Sequence, residues 1–281
     1  MCPDGAWPKA STADASASPA ALGSLQEPLA LRALLWDVDG TLAETERDGH
    51  RVAFNRAFEE LGLPWRWSEA AYGRLLRVTG GRERILAYMA LRDDAPQAPA
   101  QRQALAQELH RLKNAHYAAL ATSGAVALRP GVRNLIDAAQ RAGLRQAIAT
   151  TTSRTNVGAL LSYHFGPDWA QHFDAVVCGE DVAAKKPAPE VYLQALDRLR
   201  LAPAVTLAIE DSPAGVAAAR AAGVPVLVTR SVYFAADGYK AAVAVGPGLH
   251  TRRAWRPAPL AGDAPLQLQD LRAWHAAALA A

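Results

Sequence analysis

From Pro130 onward, short apolar runs alternate with amphipathic segments, and this constrains the fold more than any other feature. The runs are "LRQAIATTTS", "FDAVVCGED", "VTLAIEDS" and "VPVLVTR". Between and around them, "GVRNLIDAAQRAG", "TNVGALLSYHF", "PEVYLQALDRLR" and "AGVAAARAAG" carry apolar residues at three- and four-residue intervals. Such runs read as strands buried on both faces, and the spaced segments as helices. Strand–helix alternation predicts a parallel sheet with helices on both faces. Right-handed crossovers then favour a Rossmann-like doubly wound α/β fold.

A further apolar run, Leu31–Trp36, belongs to the same sheet but stands far upstream. Residues 43–124 intervene, and nearly all of them show helical spacing, punctuated by Gly62, Gly80, Gly81 and Pro96. This block is expected to be a helical cap domain inserted into a core of residues 31–42 plus 125–281. Residues 1–30 are rich in Ala, Ser and Pro, without a basic segment followed by an apolar one. They read as a disordered extension rather than a secretory signal. After Pro247 a Pro- and Arg-rich stretch leads to a last helix in "LQDLRAWHAAALAA".

In a doubly wound sheet, ligands bind at the carboxyl ends of the strands. The first strand exits into Asp37 and Asp39, followed by Gly40 and Thr41. The next exits into Thr150, Thr151 and Thr152. The segment after "AVVCGED" brings Lys185 and Lys186, and "TLAIEDS" ends on Glu210, Asp211 and Ser212. Acids, hydroxyls and a cation at neighbouring strand ends suit phosphoryl transfer. A carboxylate can serve as nucleophile. Mg²⁺ can neutralise the phosphate, since it takes one or two carboxylates plus waters and phosphate oxygens. Asp37 and Asp211 can supply those carboxylates, with Glu210 in or beside the shell. Thr150 and Lys186 can hold the remaining phosphate oxygens. Gly40 opens a turn that lets Asp39 swing beside Asp37 and offers backbone N–H groups to an anion.

Each feature has a plainer reading. Asp37 and Asp39 also suit a turn after a strand. The threonines, and Glu210 with Asp211, also suit helix N-caps. Lys185 and Lys186 stand out among five lysines in 30 basic residues, yet Lys185 also reads as a solvated charge. Trp65, Trp67 and Tyr72 suit packing. His110, His116, His164 and His172 share no metal-ligand spacing.

Taken together, "DVDGT", "ATTTS", "KKPAPEVY" and "IEDSPAGVAAARAAG" resemble the motifs of the haloacid dehalogenase superfamily of phosphohydrolases. The resemblance runs from residue 31 to about 230. It implies Asp37 as nucleophile, Asp39 as general acid/base, and Thr150, Thr151, Gly40 and Lys186 at the phosphate. It also implies Mg²⁺ on Asp37, the backbone carbonyl of Asp39, and Asp211, with Glu210 in or near the shell. "DGTLAETERDGHRVAFNRAFEELGL" and "TGGRERI" are further similar to the CbbY-like subgroup, related to beta-phosphoglucomutase. Studied members of that subgroup dephosphorylate xylulose 1,5-bisphosphate, an inhibitor of Rubisco. By this resemblance Glu44, His50, Tyr72, Arg82 and Arg84 meet the substrate from the cap side. Arg82 stands where some relatives have Lys, which puts the exact sugar in question. The expected activity is a Mg²⁺-dependent sugar-phosphate phosphatase. A phosphomutase and a non-catalytic sugar-phosphate sensor are the alternatives.

Composition narrows the partners. The net charge of +3 is spread along the chain without a dense basic cluster, so nucleic acid is not expected. No apolar run approaches the roughly 18–20 residues of a membrane span. Cys2 and Cys178 form no disulfide framework, which fits a reducing compartment and a cytoplasmic location. A small-molecule sugar phosphate is the expected partner, bound by a monomer or homodimer.

Overall fold

The computed structural model describes residues 30–259 and 262–280. The reading of residues 1–30 as a disordered extension falls, but for Ala30, outside the described residues. Six parallel strands form one sheet in the order β3-β2-β1-β4-β5-β6. They are β1 (Ala33–Trp36), β2 (Arg145–Ala149), β3 (Ala175–Val177), β4 (Thr206–Glu210), β5 (Val226–Thr229) and β6 (Ala244–Gly246). The order reverses direction at β1, the switch point where such sheets open a ligand crevice. The Rossmann-like expectation therefore holds.

Alternate residues of β1 feed opposite faces, as the twofold repeat of a strand requires. Leu34 and Trp36 join one apolar cluster, and Ala33 and Leu35 the other. The first face is covered by α5 (Val132–Arg141), α6 (Arg154–Phe165) and α9 (Leu268–Leu279). The second is covered by α7 (Glu190–Leu199) and α8 (Pro213–Ala221). In α5, Val132, Leu135, Ile136 and Ala139 are buried, and this spacing makes one apolar stripe. Beyond β6, Val245 and Arg256 exchange two backbone hydrogen bonds of 2.9 Å, which close that sheet edge.

Between β1 and β2 the chain leaves the sheet. A π-helical turn (Glu46–His50) runs into α1 (Arg51–Glu60), followed by α2 (Glu69–Leu75), α3 (Gly81–Met89) and the long α4 (Pro99–Thr122). Pro99 opens α4 at the first helical position, where a missing N–H costs nothing. These helices enclose an apolar core of their own, including Phe54, Phe58, Trp67, Tyr72, Ile85 and Met89. The chain crosses to and from this block on two linkers that run side by side, bridged at Ala43 and Leu128.

Candidate active site

Strand register brings the acids together. Trp36 pairs with Ile209 of β4 and Ile148 of β2, so the next residue, Asp37, emerges level with Glu210 and Ala149. Lys186 reaches the same point from the segment before α7. Its Nζ donates to Asp37 Oδ1 at 2.7 Å, Glu210 Oε1 at 2.6 Å and the Ala149 carbonyl at 2.8 Å. Asp37, Glu210 and Asp211 are all buried and offer carboxylate oxygens within 4.8 Å of one another. The helix after β4 is capped by Ser212, whose Oγ accepts the Gly215 N–H at 3.0 Å. Asp211 is thus not consumed as a cap.

Of these three buried carboxylates, Lys186 contacts Asp37 and Glu210, and Asp211 has no contact with it. Burial pushes Asp37 up to about 7; Lys186 opposes the rise, while Glu210 and Asp39 add to it. Burial also raises Asp211 well above the usual carboxylate range, helped by Asp37 and Glu210. Such a cluster has a deficit of positive charge that a divalent cation removes. Glu210 is the least available of the three. Oε1 accepts from Lys186 and, at 2.7 Å, from Tyr192, while Oε2 accepts the Asp211 N–H at 3.2 Å. Gly215 makes room for it, since a Cβ there would lie 2.0 Å from the Glu210 carboxyl. Donors and charge therefore fit a hard cation on Asp37 and Asp211.

Asp39 faces the other way. Its Oδ1 accepts from Thr45 Oγ1 at 2.5 Å and lies 3.0 Å from His50 Nε2. Burial works against ionisation, but His50 and Thr45 together hold Asp39 down at about 2. The two acids of "DVDGT" thus have opposed environments, a pattern suited to separate roles.

A cavity of about 310 Å³ opens between these strand ends and the helical block. That lies at the small end of the roughly 300–1,000 Å³ typical of small-molecule sites. Asp37, Asp39, Thr151, Lys186 and Asp211 line it from the sheet side. Glu46 and Arg84 line it from the helical side. A second lobe of about 140 Å³ shares Asp39, Glu46, Arg84 and Thr151 and adds His50, Lys113 and Lys185.

The haloacid dehalogenase-like hydrolase family matches residues 31–223, more than half of the chain. The chain belongs to that family. It is 44% identical over 247 residues to a plasmid-borne protein CbbY of Cupriavidus necator, covering 87% of this chain and 97% of the relative. Protein CbbY of Rhodobacter capsulatus is 49% identical over 212 residues, 75% of this chain and 91% of that one. Among solved structures, a CbbY variant from Rhodobacter sphaeroides in complex with xylulose-(1,5)-bisphosphate superposes with a TM-score of 0.69 at 40% identity, covering 75% of this chain and 92% of that one.

Within this hydrolase, several expected site residues sit elsewhere. Glu44 turns from the cavity and faces Arg129 Nε at 3.4 Å. Arg82 is exposed at the start of α3. The Gly40–Thr41 amides are committed inside their own turn, Gly40 N–H to the Ala43 carbonyl at 2.8 Å and Thr41 N–H to Val38 at 3.2 Å, so they are not free donors for an anion. Gly40 serves close packing instead: its φ is +81°, and a Cβ would fall 2.1 Å from Asp211 Oδ2. Thr150 is buried one layer back and accepts the Thr152 N–H at 3.3 Å, while Thr151 forms the cavity wall. Lys185 is not merely solvated: it bridges to Glu83 of the helical block at 3.0 Å.

His50 and Arg84 both line the second lobe, and Tyr72 stands behind it as a partner of Arg84. His50 is buried 4.1 Å from the Tyr117 ring centroid. Arg84 Nη1 donates to Tyr72 Oη at 2.9 Å, and the Tyr72 hydroxyl donates to Glu46. Sequence reasoning missed Glu46 and Lys113. For Lys113 a signal existed: Leu109, Lys113 and Tyr117 repeat at i, i+4 on the apolar face of α4, an unusual place for an ammonium. Burial pulls Lys113 down to about 8.

Proposed function

We propose that this hydrolase is a Mg²⁺-dependent sugar-phosphate phosphatase that works through an aspartyl-phosphate on Asp37, with a pentulose bisphosphate such as xylulose 1,5-bisphosphate as its substrate. The observation that carries the reading is one cavity bounded by Asp37, Asp39, Lys186 and Asp211.

Mg²⁺ would sit on the carboxylates of Asp37 and Asp211 and the main-chain carbonyl of Asp39. Bound there, it supplies charge neutralisation of the phosphoryl oxygens. Lys186 contributes a fixed positive charge beside Asp37 and favours its ionised, nucleophilic form. Glu210 and Tyr192 keep that ammonium in place. An Asp37 oxygen attacks phosphorus, and the bond from phosphorus to the sugar oxygen breaks. Asp39 donates a proton to that leaving oxygen. Asp39 rests ionised, but a phosphate dianion beside it raises its proton affinity and so prepares it for this step. Once the sugar leaves, the Asp39 carboxylate takes a proton from water. The water oxygen attacks phosphorus, the bond to Asp37 breaks, and inorganic phosphate is released. Thr151 and Lys186 hold the phosphoryl oxygens during both displacements.

Two phosphoryl groups need two anion sites. The second lobe supports this, with Arg84, Lys113 and Lys185 beside the N-terminus of α6. The similarity to a CbbY structure that holds xylulose-(1,5)-bisphosphate supports the same substrate class.

The test is phosphate release from a panel of sugar mono- and bisphosphates, with and without Mg²⁺. Strong Mg²⁺-dependent preference for xylulose 1,5-bisphosphate is expected, together with loss of turnover in a folded Asp37→Asn variant. Isomerised sugar phosphate in place of free phosphate would move the reading to a mutase. Full activity in Asp37→Asn would overturn the mechanism.

A further inference from the structure

Arg129 lies on the returning linker, outside the catalytic inventory, yet its guanidinium gathers contacts from three strand exits. Nη1 donates to the Gly40 carbonyl, and to the carbonyl and hydroxyl of Thr229 at 3.1 and 3.0 Å. Nη2 donates to the carbonyls of Arg230 at 2.6 Å and Pro247 at 3.1 Å. Nε faces Glu44 on the outgoing linker at 3.4 Å. The Arg129 amide itself donates to Leu42 at 2.8 Å. All three nitrogens are thus engaged, which only a rigid, forked cation can achieve.

The carbonyl oxygens of Gly40, Thr229, Arg230 and Pro247 carry partial charge of one sign. Gly40 and Thr229 are buried and Arg230 and Pro247 half-buried, so carbonyls left there without a donor would cost free energy. The cation that joins them also fixes where these turns stand. Gly40 follows Asp39 and packs directly on the Asp211 carboxylate. Arg230 precedes Ser231, whose side chain stands beside Gly40 together with the Asp211 carboxylate and lowers the proton affinity of that carboxylate. The guanidinium therefore grips one residue on each side of the gap between Asp39 and Asp211.

We propose that Arg129 is a positioning residue for the metal pocket: its fork holds the Asp39–Gly40 turn against Asp211, and its pair with Glu44 ties that clamp to the linkers of the helical block. The claim rests on the reading of Asp37, Asp39 and Asp211 as the Mg²⁺ site. It also gives Glu44 a place in this hydrolase, as the partner that orients Arg129.

Two variants test it, Arg129→Lys and Glu44→Gln, in the full chain with folding checked by circular dichroism. Mg²⁺ binding is measured by calorimetry without substrate, and kcat and KM by phosphate release at saturating Mg²⁺. Lysine offers one nitrogen in place of the fork. In Arg129→Lys, Mg²⁺ affinity and kcat are expected to fall about 10–100-fold, the range for residues that orient metal ligands, with KM little changed. Glu44→Gln should shift both in the same direction by less. A role confined to stability would lower the melting temperature of Arg129→Lys but leave Mg²⁺ affinity and kcat of the folded protein at wild-type values, and that result overturns the proposal. If Arg129→Lys does not fold, Glu44→Gln decides, and unchanged Mg²⁺ affinity there overturns it. A raised KM with intact Mg²⁺ affinity in Glu44→Gln would return Glu44 to the substrate and overturn it too. Failure of the unaltered chain to release phosphate from any sugar phosphate would sink the phosphatase reading alone, since the calorimetry still decides the positioning claim.

Discussion

The Nζ of Lys186 stands 2.7 Å from Oδ1 of Asp37 in a buried site. The same nitrogen serves Glu210 at 2.6 Å. One ammonium thus divides its charge between Asp37, the proposed nucleophile, and the Glu210 carboxylate that holds it in place. Burial opposes the charge on Lys186, but Asp37 and Glu210 together raise its pKa above the ordinary lysine value. In Lys186→Met, kcat should fall by about 10²–10³, the loss seen when one charge-stabilising donor is removed from a transition state. The metal-free variant should also lose about 3–5 kcal/mol of stability at neutral pH, because its carboxylates are left buried and unpaired. Urea melts in EDTA and steady-state phosphate release check both. Retained turnover would remove Lys186 from the phosphate site.

Much of this site is legible in the sequence alone. Apolar runs at β1, β2 and β4 mark strands buried on both faces, and parallel strands must deliver their exits to one edge. That logic places Asp37, Lys186 and Asp211 at one point. The helical block was harder to read, because helical phase decides which side chain meets the cavity. The turn Glu46–His50 is π-helical, so it is wider than an α-helical turn and shifts the phase of the segment. Glu46 lines the cavity, while Glu44, two residues earlier, faces Arg129. Arg129 leaves no local signature, since its acceptors lie at residues 40, 229, 230 and 247.

The opposed environments of the two motif acids predict a pH effect on Asp39. Burial resists its ionisation, yet His50 and Thr45 keep it at about 2. In His50→Ala the main lowering influence is gone, so the Asp39 pKa rises. Water activation needs ionised Asp39, so the acid limb of phosphoenzyme hydrolysis should move to higher pH by a unit or more, equivalent to at least ~1.4 kcal/mol. Single-turnover hydrolysis across a pH series measures this. An unmoved acid limb would mean that His50 does not control the Asp39 proton.

Asp37 predicts a link between metal and stability. In the metal-free protein it holds its proton up to about 7, against 3.8 for an ordinary aspartate. Between those values the folded state binds more protons than the unfolded chain. This group's contribution to stability is therefore full below the lower value, falls as pH rises through the window, and stays lost above the upper one. Mg²⁺ competes with that proton and relieves the loss. The gain in melting temperature on adding Mg²⁺ should be larger at about pH 8 than at about pH 5. Equal gains at both values would show that Asp37 gives up no proton when the metal binds.

The hydroxyl of Tyr72 links a buried cation to a buried anion on the wall of the cavity. It accepts from Arg84 at 2.9 Å and donates to Glu46, whose carboxylate lies 3.9 Å from the same guanidinium. The ring packs against Phe54, Trp67 and Tyr233. Tyr72→Phe keeps that packing and removes only the spacer. Arg84 then closes onto Glu46, 3.9 Å away, because little water is present to screen their attraction. The guanidinium withdraws from the lobe proposed for the second phosphoryl group. KM for a sugar bisphosphate should rise about tenfold, matching the ~1.4 kcal/mol that a single charged hydrogen bond supplies. Turnover at saturation should change little, since Asp37, Asp39 and Lys186 are untouched. KM for a sugar monophosphate should move much less than KM for the bisphosphate. A matched rise for both would place Arg84 at the sugar ring instead of the distal phosphate.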